Sequence, residues 1–130
     1  MSQAADLAAT LLNLARDDDV ALRMLLDGTA VSDAVIGFHA QQAVEKSLKA
    51  ALAARGVDFP FTHDVAGLME LCLDSGLEVP RELAGADALS PFGVEFRYGA
   101  TDPSPLDREQ SARWSEVAVA WAARLLDLPV

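Results

Sequence analysis

The sequence predicts an all-α protein, an up-down antiparallel bundle of four to five helices. Apolar residues recur at intervals of three and four along most of the chain, which is the helical period, and no segment alternates as a strand does. Helix-capping and helix-ending residues divide the chain into helical segments joined mostly by short loops. The chain has 130 residues, of which 52% are hydrophobic. This is enough for one core, so residues 1–130 are expected to form a single domain.

The first helix is predicted over residues 4–27, with Gly28 ending it. Its apolar face is assigned to three leucines at helical spacing, Leu7, Leu11 and Leu14. The three aspartates at positions 17–19 are expected on its solvent face. Ser32 or Asp33 is a good N-cap for the second helix, which is predicted to end near Arg55 and Gly56.

The third helix is predicted from His63 to Leu73, with Thr62 as its N-cap. Pro80 suits the first position of a fourth helix, and Pro91 predicts a break near Ser90 because proline removes a backbone donor. That helix carries Leu83, Leu89, Phe92 and Phe96.

The last helix is predicted to open at Ser104, Pro105 and Asp107, which resemble an N-cap, a first-position proline and an acidic first turn. Its apolar stripe is formed by Trp114, Val117, Trp121, Leu125 and Leu128.

The charge balance limits the function classes. Twenty acidic residues face ten Lys plus Arg, which gives a net charge of -10. Such a chain is not expected to coat nucleic acid or an anionic membrane, although a local positive pocket stays compatible with it. Cys72 is the single cysteine and fits a reducing cytoplasm, where we expect it as a buried apolar residue. The N-terminal segment does not resemble a signal peptide, and no apolar run reaches the length of a membrane span.

The second helix carries a polar stripe that includes both lysines of the chain, Lys46 and Lys49. His39, Gln42, Lys46 and Lys49 fall within roughly 80° of one another on a helix, and Glu45 at the edge can reach Lys49. The core-facing side is assigned to Ala34, Phe38, Val44, Leu48, Ala51 and Leu52. Spacing alone favours a solvated face. The concentration of both lysines within one turn favours donors that bind a phosphate or a partner carboxylate.

A second candidate site follows the fourth helix. Arg97 stands before a loop, where it either stabilises a helix C-terminus or holds a phosphate. Tyr98, the single tyrosine, could stack on a base or cover the core edge. His63 is expected to be a capping or packing residue. No phosphate-binding glycine loop, catalytic serine motif or Cys/His metal spacing is present, so we expect neither a metal nor a cofactor.

The segment "FHAQQAVEKSLKAALAARGVDFPFTHDVAGLMELC" resembles the core of HEPN domains, the nucleotide-binding domains of higher eukaryotes and prokaryotes. "VEFRYGATDPSP", residues 94–105, resembles the family's later Arg-Tyr segment. The resemblance is to the stand-alone prokaryotic type found with minimal nucleotidyltransferases. It implies a helical bundle that dimerises, with a site in the cleft between protomers, often in a toxin–antitoxin-like pair.

Nuclease members of the family carry Arg and, four to six residues later, His, and they act without metal. Arg97 matches the arginine, but Asp102, Pro103 and Ser104 occupy the three positions for the histidine. The resemblance therefore implies binding more than catalysis. The candidate nucleotide- or phosphate-binding residues are Arg97, Lys46, Lys49, Gln42, Glu45 and Tyr98, and no general base is assigned.

Three hypotheses follow. The first is a homodimer that binds a nucleotide or RNA phosphate, or a partner nucleotidyltransferase, without the usual histidine. The second is a metal-independent ribonuclease toxin that uses His39 or His63 instead. The third is a non-enzymatic adapter in which the polar stripe is ordinary surface.

Overall fold

The computed structural model describes residues 2–27, 30–93 and 106–127. They contain four α-helices: α1 (Gln3–Leu26), α2 (Asp33–Ala54), α3 (Val65–Asp74) and α4 (Arg108–Leu125). Two 3₁₀ segments, Arg81–Leu83 and Ala86–Gly93, connect α3 to α4. No strand occurs in these three described ranges. The prediction of an all-α bundle is confirmed.

Helix α2 is the centre of the bundle. It packs against α1, α3, α4 and the second 3₁₀ segment, and Val44, Leu48, Ala51 and Leu52 are fully buried as predicted. Ala34 is exposed, contrary to the prediction, because it lies in the first turn of α2, before the buried stretch begins at Ile36. The predicted bounds of α1 and α2 are confirmed to within a residue or two.

The helix directions follow from contacts between their ends. Asp19 of α1 meets Ser115 of α4, and Arg108 at the start of α4 binds Asp33 at the start of α2. Together with the short connection between α1 and α2, these contacts make α1 antiparallel to both of the other long helices. Helix α3 lies alongside α2 in the same direction, since Cys72 contacts Leu48 and Arg55 contacts Gly76.

The predicted apolar face of α1 is wrong for two of its three leucines, whereas Leu11 is half-buried against the core. Leu7 and Leu14 are 47% and 44% exposed, and the buried apolar residues are instead Ala8, Leu12, Ala15 and Leu22. Alanines on this face let α1 approach α2 closely. The expectation that residues 17–19 face solvent is also wrong for two of the three aspartates. Asp18 and Asp19 are buried and only Asp17 is exposed.

Asp19 is buried because two donors satisfy its carboxylate. Ser115 Oγ donates to Asp19 Oδ1 over 2.6 Å, and the Arg23 guanidinium lies 2.8 Å from Oδ2. A buried carboxylate is tolerated when hydrogen bonds replace those it made to water. The hydrogen bond between Ser115 and Asp19 therefore joins α4 to α1.

The predicted fourth helix is not an α-helix. The chain is interrupted at Ala84 and Gly85, where Gly85 has a φ of 90° that favours glycine, and not at Ser90. Pro91 lies inside the second 3₁₀ segment. The Phe92 ring packs directly on Gly37 of α2, where a Cβ atom would lie 2.4 Å from the ring. Phe96 lies outside the described residues.

The ends of α3 and α4 differ slightly from the predicted ones. Helix α3 begins at Val65 after the cap residue Asp64, and Thr62 Oγ1 accepts a hydrogen bond from the Asp64 N–H. Helix α4 begins at Arg108, and its cap Asp107 accepts from the Gln110 N–H. The predicted cap residues of α4, Ser104 and Pro105, lie outside the described residues.

The apolar stripe predicted for α4 is confirmed in part. Trp121 is buried, but Leu125 is 42% exposed and Leu128 lies outside the described residues. The row of α4 that is completely buried consists of small residues, Ser111, Ser115, Ala118 and Ala122. Small side chains let α4 lie close to its neighbours. In the described ranges, no helix has the length and apolar character needed to cross a membrane.

Candidate functional site

The polar stripe of α2 lies largely inside the protein. Glu45 is 4% exposed, and Gln42 and Lys49 are each 9% exposed. The side chains of Lys46 and His39 keep more contact with water, at 22% and 26%. The interpretation of this stripe as a solvated helix face is therefore wrong, since its polar groups are held by other protein groups.

Glu45 gathers three donors around one buried carboxylate. The Lys49 ammonium donates to Oε2 over 3.0 Å, as predicted from their spacing. On Oε1, the Gln41 amide donates over 2.9 Å and His63 Nδ1 lies 2.7 Å away. The Lys49 ammonium also lies 5.7 Å from the centre of the Phe59 ring, within range of a cation–π contact.

Asp18 of α1 makes a similar set of contacts with two side chains of α2, about one turn closer to the N-terminus of α2 than the Glu45 contacts. The Lys46 ammonium donates to Asp18 Oδ2 over 2.7 Å, and His39 Nδ1 lies 3.0 Å from Oδ1. Each carboxylate thus holds one lysine and one histidine. We call the two groups the Asp18 cluster (Asp18, His39 and Lys46) and the Glu45 cluster (Glu45, Gln41, Lys49 and His63).

The clusters determine which histidine nitrogen faces outward. An ionised carboxylate only accepts hydrogen bonds, so Nδ1 of each ring carries the hydrogen and Nε2 of the neutral ring is left as an acceptor. The His63 side chain is 54% exposed, compared with 26% for His39. His63 therefore offers the more accessible proton acceptor. Its pairing with Glu45 was not anticipated by its interpretation as a capping residue.

Gln41 is a site residue that the sequence analysis missed. It is fully buried, and its amide nitrogen also donates to the His63 carbonyl oxygen over 3.1 Å. Its amide oxygen accepts from Gln42 over 2.7 Å. The residue lies toward the apolar side of α2, and a polar amide at such a position in the sequence indicates a buried hydrogen-bonding role.

Gly93 lies directly against this amide. A Cβ atom on Gly93 would lie 2.4–2.7 Å from three atoms of the Gln41 side chain, so only glycine leaves the amide in place. Residues 94–105 follow in sequence from this point. Arg97 and Tyr98, with Asp102, Pro103 and Ser104, lie outside the described residues.

Cys72 has no role in this site. Burial raises the pKa of its thiol to about 12, which makes the nucleophilic thiolate scarce. The residue packs as a small apolar side chain, as predicted. Over residues 2–27, 30–93 and 106–127, no group of three or more His, Cys, Asp or Glu side chains is arranged to hold a metal ion.

Comparison with known proteins gives one family. A family model described as "HEPN domain" matches residues 9–127. No curated protein and no solved structure matches the chain significantly.

Proposed function

This chain belongs to the HEPN domain family, and we propose that it is a homodimer that binds a nucleotide or an RNA phosphate beside α2. One observation carries the proposal. Both lysines and both histidines of the chain lie along one side of α2 or against it, each held by a carboxylate. Two lysines and two histidines thus come together on a molecule with a net charge of -10.

Lys46 is the direct phosphate contact in this proposal. Its ammonium has three hydrogens, one is used by Asp18, and its side chain is 22% exposed. Lys49 is 11% exposed and paired with Glu45, so in this proposal it holds Glu45 in position and does not contact the phosphate. Gln42 and Glu45 hold that arrangement through Gln41 and His63.

Arg97 and Tyr98 complete the proposed site. Arg97 follows Gly93 by four residues, which span at most about 14 Å when fully extended. Because Gly93 lies against Gln41, this length of chain would allow a guanidinium at position 97 to reach the clusters. There it would hold a phosphate in a bidentate manner, with Tyr98 available to stack on a base.

The partner in this proposal is a minimal nucleotidyltransferase, in a toxin–antitoxin-like pair. The sequence resemblance to the stand-alone HEPN type supports it. Co-expression with such a protein and co-purification at moderate salt would test this part separately from ligand binding.

A second candidate function, ribonuclease activity without metal, is favoured by the Glu45–His63 pair. Glu45 holds Nδ1 and leaves Nε2 to accept the proton of a ribose 2′-hydroxyl as its oxygen attacks the adjacent phosphate. The bond between phosphorus and the 5′-oxygen then breaks, the 5′-oxygen takes a proton from solvent water, and a cation stabilises the charged transition state. His39 is less accessible for this role. Positions 102–104 contain no histidine.

Titration of the protein with AMP, ATP and a short single-stranded RNA tests the first function. Lys46→Gln should weaken binding by about tenfold to a hundredfold, the value of a charge-assisted hydrogen bond. Arg113→Gln removes the same charge from an exposed position on α4 and should bind as wild type does. Equal affinity in the two variants would reject the phosphate site. RNA cleavage by the wild-type protein that is lost in the His63→Ala variant would establish the second function.

A further inference from the structure

Each lysine of the stripe already has a counterion inside the protein. The Lys46 ammonium lies 2.7 Å from Asp18 Oδ2, and the Lys49 ammonium lies 3.0 Å from Glu45 Oε2. With both histidine rings neutral, as they are counted in the net charge of -10, the Asp18 and Glu45 clusters together carry two positive and two negative charges. A phosphate that approaches them therefore meets nitrogen donors but no net positive charge.

The Asp18 carboxylate makes contacts of the kind that a phosphate would make at this place. Its Oδ2 accepts from the Lys46 ammonium, and its Oδ1 lies 3.0 Å from His39 Nδ1. A carboxylate and a phosphate are both oxyanions, and both bind such donors through more than one oxygen. Asp18 therefore competes with a phosphate for the more exposed of the two lysines.

Of the two carboxylates, Asp18 is the more easily displaced. Its side chain is 12% exposed, compared with 5% for Glu45. Three side chains donate to Glu45, whereas the described side chains around Asp18 supply two contacts. Aspartate has only two side-chain torsions, so a change of its χ1 rotamer carries the carboxylate away from Lys46 without moving the backbone of α1.

We propose that Asp18 is an internal competitor of the ligand, which holds Lys46 in the ligand-free protein and is displaced when a phosphate binds. The inference rests on the phosphate site of the proposed function and specifies how that site is regulated. An anion that contacts Lys46 alone gains little, because it replaces one charge-assisted hydrogen bond by another. Asp18 thereby favours ligands with additional contacts, such as a nucleotide or RNA, over small inorganic anions.

The sign of one substitution tests the proposal, because a carboxylate that only positions Lys46 and one that competes for it have opposite effects on affinity. Asp18→Asn keeps the shape of the side chain, but Lys46 binds a neutral amide oxygen more weakly than a carboxylate. Inorganic phosphate, AMP and a short single-stranded RNA should each bind about tenfold tighter to Asp18→Asn than to wild type in about 0.15 M NaCl. A dissociation constant that is unchanged or larger would overturn the proposal.

Asp17→Asn is the matched control. It removes the same charge from the neighbouring position of α1, where Asp17 is exposed, and should change these affinities by less than about twofold because salt screens exposed charges. An equal gain in both variants would show a general effect of net charge and would refute the competition. The gain should also require Lys46, so Lys46→Gln combined with Asp18→Asn should bind no tighter than Lys46→Gln alone.

NMR of the histidine rings gives a second measurement, on the wild-type protein itself. A phosphate that displaces Asp18 also removes the carboxylate from His39 Nδ1, so titration with inorganic phosphate should shift the His39 ring signals with the dissociation constant measured for binding. Unchanged His39 signals at saturation would contradict the displacement, even if Asp18→Asn does not fold.

The two proposals can fail separately. Urea unfolding of Asp18→Asn verifies that the variant is folded in the titrations. Wild-type binding that Lys46→Gln weakens, but that Asp18→Asn does not strengthen, would reject the competition and keep the phosphate site. No binding of phosphate, AMP or RNA by any of these proteins would reject the phosphate site, and the competition with it.

Discussion

Replacing Glu45 by glutamine should destabilise the fold strongly, because it leaves a cation buried without its counterion. The Glu45 side chain is 5% exposed and the Lys49 side chain 11%, with 3.0 Å between their charged atoms. Breaking such a pair from one side costs about 3–5 kcal/mol. For a chain of this length, 1 kcal/mol corresponds to about 4 °C in the melting temperature. Glu45→Gln should therefore lower Tm by about 10–20 °C.

The partner substitution should cost less. Lys49→Met leaves Glu45 with His63 and Gln41 as hydrogen-bond donors. We expect a loss of about 1–2 kcal/mol. The double variant has no isolated charge, so its loss should fall below the sum of the two single losses by about 2 kcal/mol.

Urea unfolding and calorimetry on the wild type, the two single variants and the double variant measure the coupling between Glu45 and Lys49. Asp33→Asn is the matched control, because it removes a carboxylate from the exposed Asp33–Arg108 pair and should cost less than about 1 kcal/mol. Additive losses in the cycle, or equal losses in Glu45→Gln and Asp33→Asn, would refute the assignment of the Glu45 cluster as a buried charge network.

Three further predictions concern single features. Gly93→Ala should displace the Gln41 amide, lower stability by about 1–3 kcal/mol in urea unfolding and shift the His63 NMR signals; unchanged His63 signals would contradict the contact. Gly37→Ala should cost about 1–3 kcal/mol through the Phe92 ring, and near-neutral unfolding would argue against that packing. The Cys72 thiol, with a pKa near 12, should be about 1 part in 10⁴ thiolate at about pH 8 and react with a thiol reagent only on unfolding.

The structure also changes what a double Lys46→Gln, Lys49→Gln variant should do. On the helix alone, two like charges three residues apart repel each other, so their removal would leave stability equal or greater. Asp18 and Glu45 already neutralise these lysines in the interior. Loss of both should lower stability, and weaker ligand binding by itself would not identify a phosphate contact. The single Lys46→Gln variant leaves the Glu45 cluster intact, and its unfolding curve must accompany the titration because Asp18 loses its lysine.

Much of the helical architecture could be predicted because its signals are local. Ser32 lies immediately before α2, and the pattern of Val44, Leu48, Ala51 and Leu52 indicated its buried side. The fourth predicted helix was wrong because its periodicity could not reveal that Gly37 and Gly85 let a tighter 3₁₀ segment pack against α2. The apolar face of α1 was misplaced because that helix has both leucines and alanines at helical spacing. Local pattern could not tell which row faces α2.

The sequence by itself determined the helical class, the bounds of α1 and α2, the family, and the presence of Lys46, Lys49, Gln42 and Glu45 on one helix. Only the tertiary structure decided that this stripe is buried and that Asp18 and His63 complete it. The reason is the desolvation cost of charge. A lone aspartate or lysine has its lowest free energy in water, so any local pattern predicts it at the surface. Burial becomes favourable only when groups distant in sequence supply the missing hydrogen bonds, as α1 does for Lys46 and the linker before α3 does for Glu45.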